Sequence, residues 1–249
     1  MPEDIYTGQY TIRYSETGAD GKIKIGAIFN YLQDAAGEHA ALLGVSGGDL
    51  LPLNLGWVLY HYQFDVTRYP TWREEILVRT WKFPYRRLYE LREFEVEDKS
   101  GAIIARAKSS WILINLASRK PMRLDRNLPS SVNHAKEISF TFNKLSQIEQ
   151  VDTERPVTVT THDLDFNKHA NNTCFIQWAL DTVSPEMEHG MDPRSVEATF
   201  LGEARLGETL LSQAQIVDGS TNTISVHRIG NRESGKELMR LAAVWGRRQ

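Results

Sequence analysis

Hydrophobic residues recur along this chain with two different periods. Between Ile25 and Leu43 they return every three or four residues, as on one face of a helix, and Gly44 follows as a stop signal. The period then changes to two, which is typical of strands with one buried face. The runs with this period are Trp57–Thr67, Glu75–Phe83, Leu88–Glu97 and Ile103–Asn115. A helix followed by an antiparallel meander predicts an α+β unit.

The same order of elements occurs a second time. A helix is predicted over Asn172–Val183, and the strands predicted after it are Val196–Leu201, Glu208–Val217, Thr223–Ile229 and Glu237–Trp245. Residues 28–34 align with residues 175–181 at an offset of 147 (178 − 31), and both segments read apolar, apolar, polar, aromatic, apolar, any residue, Asp. Two copies of one helix and four strands indicate an internal duplication.

Periodicity is weak between the two copies. Residues 116 to about 156 are polar and irregular, with basic positions at Arg119, Lys120, Arg123 and Arg126. We therefore predict an N-terminal unit over residues 1–130, an interdomain connection over 131–156 and a C-terminal unit over 157–249. Because long structureless loops are uncommon in compact proteins, we expect the connection to pack on the surface.

Composition narrows the class of protein. The chain has 249 residues, of which 41% are hydrophobic and 24% charged, an ordinary globular balance. Its single cysteine, Cys174, excludes an internal disulfide and a cysteine-based metal finger, and it fits a reducing cytosol. The N-terminus has no targeting character, and no apolar run approaches the roughly 20 residues of a membrane span. A formal charge of −3 argues against a general nucleic-acid binder. We expect a cytoplasmic protein.

The densest polar cluster is the segment 162–172, in which Asp165, Asn167 and His169 alternate. In an extended segment this spacing projects a carboxylate, an amide and an imidazole from one face. The cluster runs directly into the second helix, whose first N–H groups suit a reaction that develops negative charge on an oxygen. The alternative is purely structural, because Asn and Asp before a helix are common caps, and Asn171 or Asn172 is expected to be the cap here.

The duplication bears on this choice. At the offset of 147, the first unit has Gly18, Asp20 and Lys22 where the second has Asp165, Asn167 and His169. A turn that only the fold requires would need similar residues in both copies. The difference therefore indicates that the second copy is specialised.

The segment Leu164–Asn172, followed by Phe175, Trp178 and Asp181, closely resembles the signature of acyl-acyl-carrier-protein thioesterases, plant plastid and bacterial enzymes. The resemblance implies an α+β tandem hot-dog fold, with two antiparallel sheets each wrapped around a long helix. It also implies hydrolysis of a fatty acyl thioester on acyl carrier protein, with no cofactor and no metal.

The motif of this family carries Asp, Asn and His two residues apart, which matches Asp165, Asn167 and His169. A second family motif, Glu-Cys-Gly, matches Glu203-Ala204-Arg205 here, so the acid is kept and the cysteine is not. Cys174 is interpreted as an inert small hydrophobe rather than as a substitute nucleophile.

We therefore hypothesise direct hydrolysis, in which Glu203 and His169 orient and deprotonate water and Glu203 is the base. Asn167 would hold the water or the thioester carbonyl, and Asp165 would fix the Asn167 amide and the local turn. The N–H groups at the start of the second helix would stabilise the oxyanion. A covalent anhydride on Glu203 is a variant of this scheme.

The resemblance also places an acyl tunnel in the first unit, with wall candidates Phe29, Trp57, Tyr60 and Trp111; the alternative is that these side chains form ordinary core. Acyl carrier protein is acidic, so its docking surface should be locally basic. Candidate clusters are Arg86/Arg87, Arg119/Lys120/Arg123/Arg126 and Arg247/Arg248.

Three other functions remain open at this point: hydrolysis of coenzyme A thioesters, hydroxyacyl dehydration, and acyl binding without catalysis. Two fused units already supply the pairing of two hot-dog units, so either a monomer or a homodimer is compatible with the sequence.

Overall fold

A computed structural model describes residues 5–129, 142–218 and 223–248 of the chain. The chain divides into two compact units, with the boundary between residues 141 and 142. None of the helices in the described ranges is long and apolar enough to cross a bilayer.

The first unit packs a long helix against an antiparallel sheet. Its strands and helices are β1 (Ile5–Thr11), α1 (Ile25–Leu42), α2 (Gly47–Leu50), β2 (Leu55–Val66), β3 (Glu75–Tyr85), β4 (Tyr89–Asp98), β5 (Ile103–Asn115) and α3 (Leu124–Asn127). The strands are hydrogen-bonded in the order β1-β3-β4-β5-β2. Helix α1 contacts β1 and β3 and buries Ile28, Phe29 and Leu32.

The second unit repeats this plan with a shorter helix. Its elements are β6 (Thr153–Thr158), α4 (Asn172–Leu180), α5 (Pro185–Gly190), β7 (Met191–Phe200), β8 (Thr209–Asp218), β9 (Thr223–Asn231) and β10 (Glu237–Arg247). The strand order is β7-β10-β9-β8-β6, and α4 contacts β8, β9 and β10. All eight predicted strands and both predicted helices are present; β5 has the predicted ends, and the ends of the others are shifted.

Two strands, β1 and β6, were not predicted. Both occupy the edge of their unit's strand order, and most of their residues are exposed or half-buried. Edge strands carry polar residues and even proline, here Pro156, so they lack the apolar alternation by which inner strands are recognised.

Of the predicted connection, residues 131–156, the structure describes only the part from residue 142 onward. Residues from 142 onward belong to the second unit, and β6 begins at Thr153 and pairs with β8. Within residues 116–156, which were predicted to be irregular, Leu124–Asn127 forms α3. The rest of the predicted connection, up to residue 141, lies outside the described residues.

Helix α4 ends at Leu180, three residues before the predicted end at Val183. The Thr182 hydroxyl donates to the carbonyl of Trp178 at 2.7 Å, a local bond that competes with helix continuation. Pro185 then begins α5, and proline disfavours helical backbone in the residue before it, here Ser184. The second unit therefore has a nine-residue helix where a long one was expected.

A row of charged side chains is buried inside the first unit. Lys82 and Glu90 form an ion pair at 2.5 Å with both side chains under a tenth exposed, and Arg92 lies 3.9 Å from the same carboxylate. Arg92 also contacts His39 of α1 at 3.1 Å. Burial lowers the pKa of Lys82, and the Glu90 carboxylate opposes that shift. One carboxylate thus offsets two buried cations.

Replacing Glu90 by Gln keeps the side-chain volume but removes this negative charge. We expect the free energy of unfolding to fall by about 3 kcal/mol, because two buried cations lose their counter-charge. Urea unfolding followed by tryptophan fluorescence measures the change. The matched control is Glu95→Gln, whose partner Arg106 is more than half exposed, and it should cost no more than about 1 kcal/mol. Equal losses in the two variants would contradict this account.

Candidate active site

The predicted site segment forms a tight turn and not the extended run expected from its alternating residues. Leu164 and Ala170 are bridged, the N–H of Asp165 donates to the carbonyl of His169 at 2.8 Å, and the N–H of Lys168 donates to the carbonyl of Asp165 at 3.0 Å. Lys168 adopts left-handed backbone (φ 63°), which lets the chain reverse. The expectation of an extended segment was therefore wrong.

Asp165 holds this turn together. One of its carboxylate oxygens accepts the backbone N–H of Asn167 at 2.8 Å and that of His169 at 3.2 Å. An Asp side chain that binds backbone two residues ahead is a common means of fixing a turn. Asp165 therefore positions Asn167 and His169 through their main chain.

A second segment, residues 203–208, lies beside the turn. The N–H of Ala170 donates to the carbonyl of Ala204 at 2.9 Å, and His169 is bridged to Arg205. The segment is itself closed by Glu208, whose carboxylate accepts the N–H of Arg205 at 3.0 Å. These backbone contacts bring residue 203 alongside residue 169.

The structure brings His169 and Glu203 together. Nε2 of His169 lies 3.4 Å from Oε2 of Glu203, with 19% and 30% of the two side chains exposed. Partial exposure leaves the pair accessible to water while its surroundings restrict its orientation. Asn167 is exposed on the same turn. A single water molecule can contact both the carboxylate and the imidazole at this separation.

The start of α4 is capped by Asn171, one of the two predicted caps. Its side chain accepts the N–H of Thr173 at 3.1 Å, and its carbonyl accepts the N–H of Cys174 at 3.0 Å. These two helix N–H groups are therefore already engaged and are poorer oxyanion donors than the sequence suggested.

The first unit contains the same turn, without the Asp, Asn and His side chains. At the offset of 147, the N–H of Gly18 donates to the carbonyl of Lys22 at 2.8 Å and that of Gly21 to Gly18 at 3.0 Å, as in the second unit. Gly21 has φ 76°, in the place of Lys168. The fold therefore requires the turn in both units, but it does not require Asp, Asn and His in it.

The segment that faces the turn is repeated as well, at an offset of 134 (204 − 70). The N–H of Ile23 donates to the carbonyl of Pro70 at 2.9 Å, as Ala170 does to Ala204. Glu203 therefore corresponds to Tyr69, a buried aromatic residue. Sequence periodicity alone had not revealed this second correspondence, because it depends on pairing between distant segments.

Cys174 has the environment of an unreactive thiol. Its sulfur lies 3.9 Å from the carbonyl oxygen of Asp163. Burial, followed by the negative charge of Asp163, raises the pKa of the thiol to about 11. A raised pKa leaves little thiolate at neutral pH, which is unsuitable for a nucleophile.

The four tunnel-wall candidates make contacts within the first unit. The buried ring of Phe29 lies 5.0 Å from that of Phe64, and Nε1 of Trp57 donates to the carbonyl of Val45 at 2.9 Å. Tyr60 is 37% exposed with its ring 6.3 Å from Tyr89, and Nε1 of Trp111 donates to the Ser109 hydroxyl at 2.9 Å. These contacts describe packing, and the tunnel stays a prediction.

Within the described ranges, no group of three or more His, Cys, Asp or Glu side chains is arranged to hold a metal ion. The residues gathered at the turn are a carboxylate, an imidazole and an exposed amide, a set suited to activating water and polarising a carbonyl.

Comparison with known proteins shows the family of the chain. Residues 3–131 match the sequence model of the acyl-ACP thioesterase N-terminal domain, and residues 146–247 match that of the C-terminal domain. A chloroplastic acyl-[acyl-carrier-protein] hydrolase of Cuphea viscosissima is 27% identical over 258 residues, covering 97% of this chain and 62% of that protein. The chain thus spans less than two thirds of the length of that relative.

Two solved structures share the fold. The 12:0-ACP thioesterase from Umbellularia californica superposes with a TM-score of 0.90 at 24% identity, covering 100% of this chain and 96% of that one. An acyl-ACP thioesterase from Bacteroides thetaiotaomicron superposes with a TM-score of 0.84 at 24% identity and 98% coverage of both chains. The expected tandem hot-dog architecture is confirmed.

The state of Cys174 can be tested by alkylation. With the pKa raised from 9.0 to about 11, the native thiol should react with iodoacetamide at pH 8 about a hundredfold more slowly than a free cysteine. Mass spectrometry measures the rate, and the urea-unfolded chain provides the control. Fast labelling of the folded protein, or loss of hydrolysis in Cys174→Ala, would show that the thiol has a chemical role.

Proposed function

This chain belongs to the acyl-ACP thioesterase family, and we propose that it hydrolyses fatty acyl thioesters of acyl carrier protein to free fatty acid and carrier thiol. The proposal rests chiefly on one observation: a partly exposed carboxylate and imidazole, Glu203 and His169, stand 3.4 Å apart on two segments joined by backbone hydrogen bonds. This pair is present only in the second of two otherwise similar frameworks.

Glu203 acts as the general base in this proposal. Its carboxylate takes a proton from a water that contacts both it and His169, and the water oxygen attacks the carbonyl carbon of the thioester. The tetrahedral intermediate collapses by breaking the carbon–sulfur bond. The thiolate leaves with the proton returned from the Glu203–His169 pair, and the acyl group leaves as the carboxylic acid.

Asn167 supplies the donor for the developing oxyanion. Its side chain is an exposed amide on the turn that carries His169, and the nearby helix N–H groups of Thr173 and Cys174 are already engaged by Asn171. An uncharged N–H donor fixed beside the reacting carbonyl stabilises the transition state more than the ground state. Asp165 is a positioning residue, because it holds the turn that carries Asn167 and His169.

The reaction partners follow from the family. The acyl group is carried on acyl carrier protein, and no cofactor is needed for hydrolysis by activated water. Measuring thiol release from matched acyl-carrier-protein and acyl-coenzyme A substrates tests the choice of carrier. Dehydration or simple acyl binding would release no thiol, so absence of thiol from both substrates would overturn the proposed reaction.

Glu203→Gln and His169→Ala test the water-activating pair. Each variant should lower kcat by about 10²- to 10⁴-fold, because each removes a group that moves a proton in the transition state. Purified variants are assayed for free fatty acid release. Glu208→Gln is the matched control: its carboxylate accepts the N–H of Arg205, a bond that an amide oxygen can also accept, so activity should be kept. Near-normal hydrolysis in Glu203→Gln and His169→Ala would remove the mechanism.

Asp165→Asn and Asp165→Ala distinguish a positioning role from a role for negative charge. An Asn oxygen can still accept the N–H groups of Asn167 and His169, whereas Ala cannot. We expect Asp165→Asn to keep at least about tenfold more activity than Asp165→Ala. Without a side-chain acceptor at residue 165 the turn loosens, and both Asn167 and His169 are displaced. The paired measurements are kcat and thermal melting. Equal, complete loss in both variants would assign Asp165 a charge-dependent part in the reaction.

A further inference from the structure

The connection between β3 and β4 carries two arginines in an unfavourable backbone conformation. Arg86 has φ 50° and Arg87 has φ 63°, both in the left-handed region. Gly and Asn adopt this region most readily, and two-residue stretches of it in hairpins are usually built from them. Positions that break a local rule in this way are expected where a side chain serves a function.

A second basic segment lies beside this turn. After β5 the chain returns along the end of the sheet: the N–H of Asn115 donates to the carbonyl of Lys120 at 3.0 Å, and that of Met122 to Leu113 at 2.7 Å. The N–H of Leu124 then donates to the carbonyl of Arg87 at 2.9 Å. Two clusters that are about thirty residues apart in sequence are therefore neighbours in the first unit.

The carboxylate of Asp125 is surrounded by positive charges from both segments. Hydrogen bonds from Arg123 lower the pKa of its carboxyl group most, and the positive charges of Arg123, Arg87 and Arg126 lower it further. Arginines from both segments therefore act on the same exposed carboxylate. We call this surface the basic tip, and its cations are Arg86, Arg87, Arg119, Lys120, Arg123 and Arg126.

The basic tip has a large local excess of positive charge. Residues 85–90 and 119–127 contain six cations and two acids, Glu90 and Asp125, which gives a net charge of +4 (6 − 2), or +5 without the buried Glu90. Glu90 is buried against Lys82. This excess occurs on a chain whose overall formal charge is −3.

The third basic cluster suggested by the sequence has a structural explanation. Nε of Arg248 lies 2.9 Å from the carboxylate of Asp192, which is buried, and the N–H of Arg248 donates to the carbonyl of Gly190. These contacts anchor the end of the chain to the start of β7. Arg248 therefore has a structural role within the second unit.

We infer that the basic tip is the surface on which the acidic carrier protein docks. The inference rests on the proposed function, since it assumes that the acyl group arrives on a carrier protein. Complementary charge accelerates encounter and orients the partner, and this effect weakens as salt is added. Arginine side chains are well suited to carboxylate groups because their planar donors can bind both oxygens. Arg86 and Arg87 stand where Gly or Asn would fit the backbone with less strain, which supports a role for their charge.

The test reverses the charge at the strained turn. In Arg86→Glu/Arg87→Glu, the KM for acyl carrier protein substrate should rise by about tenfold at low salt with kcat little changed, because encounter loses its steering. The KM for acyl-pantetheine, which carries no protein, should stay the same. Added salt should raise the wild-type KM and narrow the difference between the two proteins.

A second variant separates charge from folding. Arg86→Asn/Arg87→Asn removes the charge and suits left-handed backbone better, so its melting temperature should equal or exceed that of the wild type while its KM for the carrier substrate rises. Lys99→Glu/Arg106→Glu is the matched control. It makes the same change in net charge at two exposed cations of the same unit, outside the basic tip, and should leave that KM unchanged.

The possible outcomes separate the two proposals. If the wild type hydrolyses the carrier substrate and neither turn variant changes its KM, the docking surface is wrong and the proposed reaction stands. The docking surface is equally wrong if the KM for acyl-pantetheine rises as much as that for the carrier substrate. If the wild type releases no thiol from the carrier substrate at all, the proposed function itself fails.

Discussion

The geometry of the candidate active site depends on one short backbone contact, in which the N–H of Ala170 donates to the carbonyl of Ala204. The two residues are far apart in sequence, and each belongs to a loop that is closed by its own carboxylate, Asp165 in one and Glu208 in the other. Because each loop is closed by its own carboxylate, this hydrogen bond and the bridge between His169 and Arg205 together set His169 beside Glu203. Water activation then needs only side chains of the right kind at two predetermined positions.

Duplication explains how such a site could arise. The first unit keeps the equivalent contact between Ile23 and Pro70 and the same turn, closed with Gly21 where the second unit has Lys168. The framework therefore tolerates unrelated side chains, since its shape comes from backbone hydrogen bonds. Catalytic side chains could be gained in one unit and be absent from the other without a change in the fold. Tyr69, which occupies the place of Glu203, belongs to the buried core of the first unit.

The first unit departs from simple rules in other places. A charged row of Lys82, Glu90 and Arg92 crosses its interior, where apolar side chains would pack at lower cost in desolvation. Three of the six cations of its basic tip, Arg86, Arg87 and Arg119, have left-handed backbone, where glycine or asparagine would be less strained. Both features lower stability locally, and local conflicts of this kind in an otherwise regular fold are expected where function has selected the residues. The unit without the water-activating pair is therefore not simply a spacer.

The amino-acid sequence by itself determined the secondary structure of the inner strands, the two main helices and the duplication, because each depends on local periodicity that tertiary contacts reinforce. It also singled out Asp165, Asn167 and His169 as candidates, because the first copy has Gly18, Asp20 and Lys22 at the equivalent positions. The edge strands β1 and β6 could not be predicted, since their exposed faces carry no apolar alternation. Only the tertiary structure decided that residues 165–169 form a turn, that Glu203 stands beside His169, and that two distant basic segments share one surface. The turn depends on hydrogen bonds from the Asp165 side chain and on left-handed backbone at Lys168, which alternation of residue types does not show. The other two depend on hydrogen bonds between residues far apart in the chain, and pairing of that kind leaves no periodic signal in the sequence.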